Sequence, residues 1–576
     1  MAQTNPQKPV IIVGAGLAGL VAAFELTQRN VPILILDQEN EANLGGQAFW
    51  SLGGLFCVNS TEQRRMGIKD SRELAMRDWL GSARFDRGGD KPSDEDYWPR
   101  QWAKAFVDFA TDEMEKYVKA RGLGFMSNVA WAERGDGRAD GHGNSVPRFH
   151  VTWGVGPEVV RIFAEPVKAA EKKGVVEFKH RHMVDEVLVD EKTGRAIGVK
   201  GRVLKPDDSP RGVKSSREVV GDFEIYGSAV LVSSGGIGGN VEKVKSYWPV
   251  DRLGPKVPDN FVIGVPAHVD GRMIDITENA GAHVINKDRM WHYTEGLKNW
   301  NPIWPNHGIR VLPAPSSLWL DATGKRLPPF LFPGCDTLAT LKYICSTGYD
   351  YTWFITDQTI VAREFALSGS EQNPDVTNKS VWQVLTQRIL SSKGTMPVQN
   401  FLKHGEDFVV RDNLEDLVEG MNELARKSGA LELDYAKIKE VVEVRDGQFD
   451  NAFSKDAQAM LIHSARNYWA DKTSRVAKPH RLLDAKKSGP LIAVRMNLLT
   501  RKTLGGIETN LKSNAMKADG TPFPGLYAAG EAAGFGGGGV HGYNSLEGTF
   551  LGGCIFSGRA AGRAIADEVL GKTIEG

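Results

Sequence analysis

The stretch that most constrains this chain is Val10-Ile11-Ile12-Val13-Gly14-Ala15-Gly16-Leu17-Ala18-Gly19, closed by Leu34-Ile35-Leu36-Asp37. Four β-branched residues predict a buried strand, and a G-x-G-x-x-G turn follows it at once. Leu20 to Arg29 then reads as a helix with Leu20, Ala23, Phe24 and Leu26 inward. Val31 to Leu36 reads as a second, parallel strand. Gly14 permits the tight turn, Gly16 lets backbone approach a pyrophosphate, and Gly19 lets helix and strand pack closely. The helix N-terminus offers unpaired N–H groups and partial positive charge to phosphates. Asp37 stands where a ribose hydroxyl needs an acceptor. A lone glycine motif would also fit a phosphate-free α/β turn. Here strand, turn, helix, strand and acid fall at the expected spacing, which predicts a dinucleotide site. Gly14 to Gly19 form it, with Ala15, Leu17 and Ala18 between the glycines, and Asp37 and Gln38 follow.

At 576 residues the chain exceeds one ordinary core, so two or more domains are expected. Lys and Arg number 71 against 71 Asp and Glu, and this balance gives no sign of nucleic acid or an anionic membrane as partner. The 64 glycines exceed the usual share, and most of the excess sits in loops near the two ends. Cys57, Cys335, Cys345 and Cys554 form no C-x-x-C pair and no disulfide framework. All four read as small buried hydrophobes in a reducing compartment. There is no basic-then-apolar leader and no apolar run of bilayer length. The expectation is a soluble cytoplasmic protein with no membrane span and no metal.

Leu44 to Gly54 carries two glycine pairs around small and polar residues. Gly45, Gly46, Gln47, Ser51, Gly53 and Gly54 can lie against a flat or anionic group. Gln101 to Arg121 reads as an amphipathic helix whose aromatics belong to a core. Arg134 to Ser145 reads as a solvated loop. Val159 to Lys172 reads as a helix, followed by strands near 175–178, 183–189 and 196–203, with Val184 a further cofactor contact. Ser228 to Asn240 is a buried strand entering a glycine turn. No second acid-tipped strand follows, so Ser234, Gly235 and Gly236 are read as approaching the first cofactor rather than binding NADPH. From about 251 to 488 the chain reads as an inserted domain of short helices and loops, crowded with aromatics between Met290 and Phe354. Asp412 to Lys427 within it is helical, with Asp412 and Glu415 resembling a capping box. Glycine-rich chemistry returns in 489–576, with Gly530-Glu531, then Asn544-Ser545-Leu546, then a closing helix from about Gly553. The domains are therefore 1–250, 251–488 and 489–576, the first and last forming one split unit.

Taken together, Gly14 to Gly19, Gly45 to Gly54, Ser233 to Gly236, Thr503 to Gly506, Gly525 to Glu531, Asn544 to Leu546 and Ser557 to Gly562 resemble one flavoprotein superfamily. It contains fumarate reductases, succinate dehydrogenases and 3-ketosteroid Δ1-dehydrogenases. The resemblance implies an α/β protein: a Rossmann-like FAD-binding domain split by an inserted α+β capping domain, with the flavin at their boundary. It implies that Glu531 binds the ribitol or ribose side and that Asn544 to Leu546 run along the flavin edge. Gln47 occupies the place of the histidine that links to FAD in some members, which implies non-covalent FAD. Dicarboxylate-handling members have His-x-Thr-x-Gly-Gly where this chain has Arg501-Lys502-Thr503-Leu504-Gly505-Gly506. They have His-Gly-x-Asn-Arg where it has His541-Gly542-Tyr543-Asn544-Ser545, and serine cannot replace a bidentate arginine fork. Gly324-Lys325-Arg326-Leu327 is followed by no nearby arginine either, so fumarate and succinate are not expected. The ketosteroid branch fits in part, because Gly489-Pro490-Leu491-Ile492 lacks that branch's tyrosine.

The expected chemistry is oxidation or reduction of a carbon–carbon bond beside a carbonyl in a neutral, bulky, ketosteroid-like molecule. Hydride passes to or from flavin N5, and the protein supplies position, acid–base groups and exclusion of water. Candidate catalytic residues are Tyr543, His541 and Arg501, with His292 and Tyr293 from the middle region. Each also has a plain reading as a hydrogen-bonded buried group. The partners are a small-molecule substrate and an electron acceptor that no motif identifies. A flavoprotein oxidase acting on C–N or C–O bonds, or a non-redox enzyme using FAD structurally, stays open.

Overall fold

The computed structural model describes residues 8–138, 141–312, 314–484 and 488–571. Strand β1 (Val10–Val13), helix α1 (Leu17–Thr27) and strand β2 (Ile33–Asp37) form where the motif predicts them. The helix starts three residues earlier than the apolar pattern suggests, because Gly16 serves as its extended N-cap. β1 lies between β2 and Ala229–Val232, parallel to both, with Val10 opposite Ile33 and Ala229. Val176–His180 extends the sheet beyond β2, and Pro522–Ala528 extends it beyond Ala229–Val232. Antiparallel Asn514–Met516 closes that edge. The segments flanking the middle of the chain thus share one six-stranded sheet.

The middle of the chain departs from the expected helices and loops. Tyr351–Asp357, Leu491–Thr503 and Met290–Lys298 are neighbours in an eight-stranded, largely antiparallel sheet. Its strands carry a weak sequence signal because they are buried on both faces. Tyr351–Asp357 buries six of its seven residues, and polar alternation is then absent. Most of the aromatics are core, with Trp291, Trp304, Trp319 and Trp353 all buried. Leu491–Thr503, grouped by sequence with 489–576, pairs instead with strands of the middle region along its length. Strand pairing joins it to that sheet, and its end also bonds the chain-end segment through the Thr503 N–H and Glu531.

Smaller differences have equally local causes. The expected helix Gln101–Arg121 is two helices, Tyr97–Asp112 and Met114–Lys119, broken at Glu113. The loop at 134–145 is not simply solvated, residues 139–140 lying outside the described ones. His142 is buried with its Nε2 2.8 Å from Glu133, and the Gly143 N–H donates to Ser82 Oγ. Polar composition suggests solvent, but here polar groups satisfy one another inside. The helix Leu414–Ser428 is capped by Asn413, not Asp412, because the Asp416 N–H donates to Asn413 Oδ1. It ends at Gly429 in the left-handed region, as expected.

The closing helix, Thr549–Val569, lies directly on α1. A methyl at Gly558 would stand 2.4 Å from the carbonyl oxygen of Ala18, and one at Gly562 2.6 Å from that of Ala22. Neither neighbour can yield, since both are backbone. Gly558→Val should therefore lower stability by roughly 1–3 kcal/mol or more and loosen cofactor retention together. Thermal melting with flavin fluorescence as a second readout checks this. An unchanged melting temperature would contradict the close contact.

Candidate active site

Beneath the β1–α1 turn lies a cavity that opens to solvent. Gly14, Gly16, Leu17 and Ala18 form its floor, and Asp37, Gln38 and Glu39 one wall. Gly45, Gly46 and Gln47 form another, Ser234, Gly235 and Val184 stand opposite, and Gly530 and Glu531 close the far end. The Gly16 N-cap supplies no side-chain cap, so the first N–H groups of α1 are left for an anion. Asp37 is held in place by the N–H groups of Ala15 and Glu39, each 2.8 Å from a carboxylate oxygen. Each oxygen keeps lone-pair capacity for a hydroxyl donor. Burial pushes the Asp37 carboxyl up despite those two bonds. The cleft thus has the parts a dinucleotide needs: uncapped helix N–H groups, glycines that admit backbone close to a ligand, and an acceptor at the strand tip.

Several expected cofactor residues stand behind this wall. Gly19 packs against the Gly14 carbonyl, where a Cβ would come within 2.3 Å. Ala15 accepts from the Gly45 N–H at 2.9 Å. Gly236 backs onto Thr503 and Glu531, and Gly53 onto Thr152 and Val155. Asn544, Ser545 and Leu546 are buried without lining either of the two cavities described here. The Asn544 amide nevertheless leaves both its oxygen and its nitrogen without a partner among the described residues. That is a polar opening a bound group would fill.

A second cavity, about 590 Å³, adjoins the first and shares Gln47, Ala48, Lys502, Phe550 and Leu551 with it. Ser51 and Gly54 belong to this one. Lys502 Nζ donates to Gln47 Oε1 at 2.9 Å, the Gln47 amide donates to Glu531, and the Thr503 N–H donates to Glu531 at 2.8 Å. Burial lowers the affinity of Lys502 for its proton, with Glu531 opposing that effect.

Of the five catalytic candidates the fold brings two together at this second cavity, Tyr293 and Arg501. The Tyr293 hydroxyl has no hydrogen-bond partner among the described residues, and burial raises its pKa well above that of free tyrosine. Its ring lies 4.0 Å from the Arg310 guanidinium. Arg501 donates to Ser368 Oγ at 3.2 Å. The other three lie elsewhere. His292 points to the opposite face of its strand and sits among Trp248 and Phe261. His541 stacks on Trp79 and shares a hydrogen bond with Thr549 Oγ1 at 2.8 Å. Burial pushes both imidazoles down to about 3, so both are neutral. The Tyr543 hydroxyl donates to Asp288 at 2.9 Å, and its ring packs under Arg252 at 3.4 Å. Proximity in sequence to the closing glycine run does not carry His541 and Tyr543 to the cavity, because that run turns too sharply for neighbours to share a direction.

Sequence reasoning missed Arg310, Glu547, Ser368 and Lys502 as cavity residues. Buried Arg310 donates to Glu547 at 2.8 Å and to Glu133 at 3.2 Å. Its strand Gly308–Leu312 carries no motif that could have announced it. Lys502 and Glu547 lie close in sequence to Arg501 and Leu546, inside or beside the glycine-rich runs, and that position is their only signal. Cys554 lines the first cavity and is half-buried, and Cys345 is half-buried too, so only Cys57 and Cys335 are the buried hydrophobes expected.

These cavities belong to a flavoprotein. The chain matches the FAD binding domain family over residues 9–551 and is a member of that family. FAD is its cofactor. The chain is 60% identical over 560 residues to a KsdD-like steroid dehydrogenase of Mycolicibacterium smegmatis, covering 97% of this chain and 99% of that protein. Among solved structures, 3-ketosteroid Δ1-dehydrogenase from Sterolibacterium denitrificans superposes with a TM-score of 0.65 at 14% identity, over 98% of this chain and 100% of that one. The open conformation of a flavocytochrome c3 fumarate reductase gives 0.62 at 17%, over 99% and 80%. At such identities the two structures establish a shared mixed helix-and-strand fold.

One more carboxyl bears on Arg501. Glu371 is largely buried, with Oε2 unpartnered among the described residues and Oε1 4.0 Å from His307 Nε2. Burial raises it from 4.5 to about 7, opposed by its own backbone and by Arg501. A carboxyl with a raised folded pKa makes the folded state the better proton binder, so stability falls as pH rises from about 4.5 to about 7. Glu371→Gln should gain melting temperature relative to wild type between pH 5 and pH 8 and gain no more above it. A constant offset across that range would contradict the assignment.

Proposed function

We propose that this protein is an FAD-dependent oxidoreductase acting on a CH–CH bond next to the carbonyl of a ketosteroid-like substrate. The observation that carries this reading is the junction of the two cavities. The glycine-walled cleft meets a compartment lined by Tyr293, Arg310, Arg501 and Glu547. The close likeness to proteins named steroid dehydrogenases supports the substrate class. The parallel sheet supports a Rossmann-like unit made of residues 1–250 and the chain beyond Thr503. The antiparallel sheet between them supports a capping domain that includes Leu491–Thr503. Gln47, bonded to Lys502 and Glu531, is no nucleophile, which supports non-covalent FAD. The four free thiols suit a reducing, cytoplasmic setting.

When bound, FAD supplies the acceptor or donor of hydride. The residues supply the rest. Tyr293, kept neutral by burial, donates to the substrate carbonyl. Arg501 brings a permanent charge to the oxygen that gains electron density as the α-proton leaves. Glu547 is the carboxylate of that compartment and stands available to take the proton. Arg310 holds Glu547 at 2.8 Å and so positions it. The cofactor cleft is assigned to Gly14, Gly16, Asp37, Gly45, Gly46 and Glu531 in particular.

Anaerobic addition of a saturated 3-ketosteroid should bleach the oxidised-flavin absorbance, and succinate should leave it unchanged. Tyr293→Phe should retain flavin and slow bleaching by about 10²-fold or more, the span expected of an acid–base group. Bleaching by succinate, or indifference to every ketosteroid, would overturn the reading.

A further inference from the structure

Between Ser380 and Met396 the chain leaves its apolar side chains in solvent. Val381 and Trp382 are each 71% exposed, Leu390 69%, Ile389 59%, Met396 51% and Leu385 37%. Scattered exposed hydrophobes are ordinary, but six large ones within one short segment are not. Ser380 caps a helical turn, Val381–Val384, which runs directly into the π-helix Leu385–Ile389. Val381, Trp382, Leu385, Ile389 and Leu390 follow one another along these turns, all exposed, and form one apolar stripe on the surface. The segment is anchored to the rest of the protein by Arg388, which donates to Asp375 at 2.6 and 2.8 Å and to Asn373 at 2.9 Å.

Charge decides what covers this stripe. Residues 376–405 carry Lys379, Arg388, Lys393 and Lys403 and no Asp or Glu. Lys379 is paired with Glu158 at 2.7 Å and Arg388 with Asp375. Lys393 and Lys403 are exposed and have no carboxylate partner among the described residues. A two-fold contact between copies would set this basic rim against itself. A bilayer with anionic headgroups offers both an apolar interior and the opposite charge, and tryptophan favours that boundary.

We propose that Ser380–Met396 is a monotopic attachment device that seats on the surface of an anionic phospholipid bilayer. Val381, Trp382, Leu385, Ile389 and Leu390 enter the acyl boundary, and Lys393 and Lys403 meet the headgroups. The brace on Asn373 and Asp375 leads back to the catalytic compartment, since the Asn373 amide donates to the carbonyls of Leu367 and Gly369, either side of Ser368. Ser368 is the partner of Arg501. Attachment here would bring that compartment to lipid, where apolar substrates dissolve. The proposal stands on the exposed stripe and its charge, independently of the reaction assigned above.

The test is co-sedimentation of the flavin-loaded full chain with extruded vesicles of phosphatidylcholine, alone or with phosphatidylglycerol, alongside light scattering for oligomeric state. Wild type should pellet with the anionic vesicles, less with the neutral ones, and be partly released by salt. Trp382→Glu with Leu390→Glu should cut anionic-vesicle binding by about tenfold or more while flavin content and turnover in solution persist. Lys393→Glu with Lys403→Glu should remove the preference for anionic lipid. Wild type that stays in the supernatant with anionic vesicles overturns the proposal, as does equal binding by the Trp382/Leu390 variant. A wild-type dimer that the Trp382/Leu390 variant converts to monomer, without vesicle binding by either, also overturns it and assigns the stripe to a contact between copies.

Discussion

The structure depends on one contact between backbones. Gly14 turns at a φ of +105°, and a Cβ there would lie 2.8 Å from the Ser233 carbonyl. Ser233 closes the contact from its side, its hydroxyl donating to the Gly14 carbonyl at 2.9 Å. Two strand ends more than two hundred residues apart are thereby pressed together without side chains between them. That proximity leaves the α1 N-terminus open above them and sets the depth of the cofactor cleft. Gly558 and Gly562 apply the same solution behind α1, so the helix is held close on both sides. A side chain at any of these points would move the phosphate-facing turn.

The second organising element is the strand Leu491–Thr503. Its first part belongs wholly to the antiparallel sheet, with Leu491 opposite Asp357. Its last three residues reach three separate segments around the two cavities. Arg501 reaches Ser368, Lys502 reaches Gln47, and the Thr503 N–H reaches Glu531. One extended segment therefore links the antiparallel sheet to the glycine-rich loops, and it brings two cations, Arg501 and Lys502, to the second cavity. The buried ions nearby are mutually satisfied in the same way. Arg310 answers Glu547 and Glu133, which leaves Arg501 as the cation less committed to the protein and more available to a ligand.

Overall charge balance conceals local organisation. Equal numbers of acids and bases argue against an anionic surface as partner, yet beside the exposed stripe Lys393 and Lys403 have no carboxylate partner among the described residues. Net charge reports on the whole chain, whereas attraction to a surface is set within a Debye length of about 8–10 Å. The same distinction accounts for the loop at 134–145. Its composition reads as solvated, but His142 and Glu133 share a hydrogen bond in the interior.

The glycine-turned parallel strands at the start of the chain were legible in the sequence. β1, its glycine turn, α1, β2 and Asp37 form in the predicted order, with bounds shifted by up to three residues, because each is specified by neighbours within forty residues. The loops at Gly45, Ser234 and Gly530 were legible for the same reason: a run of glycines marks a place where backbone must come close to a ligand or to another backbone. The eight-stranded sheet was not legible, since burial on both faces erases alternation. Tyr293 and His292 are adjacent in sequence, yet strand geometry sends one to the cavity and the other to a core of aromatics. Arg310 and Glu547 are 237 positions apart and meet at 2.8 Å. Which polar residues face the ligand was decided only by tertiary structure, because a catalytic compartment is assembled from directions, and direction depends on how distant strands pair.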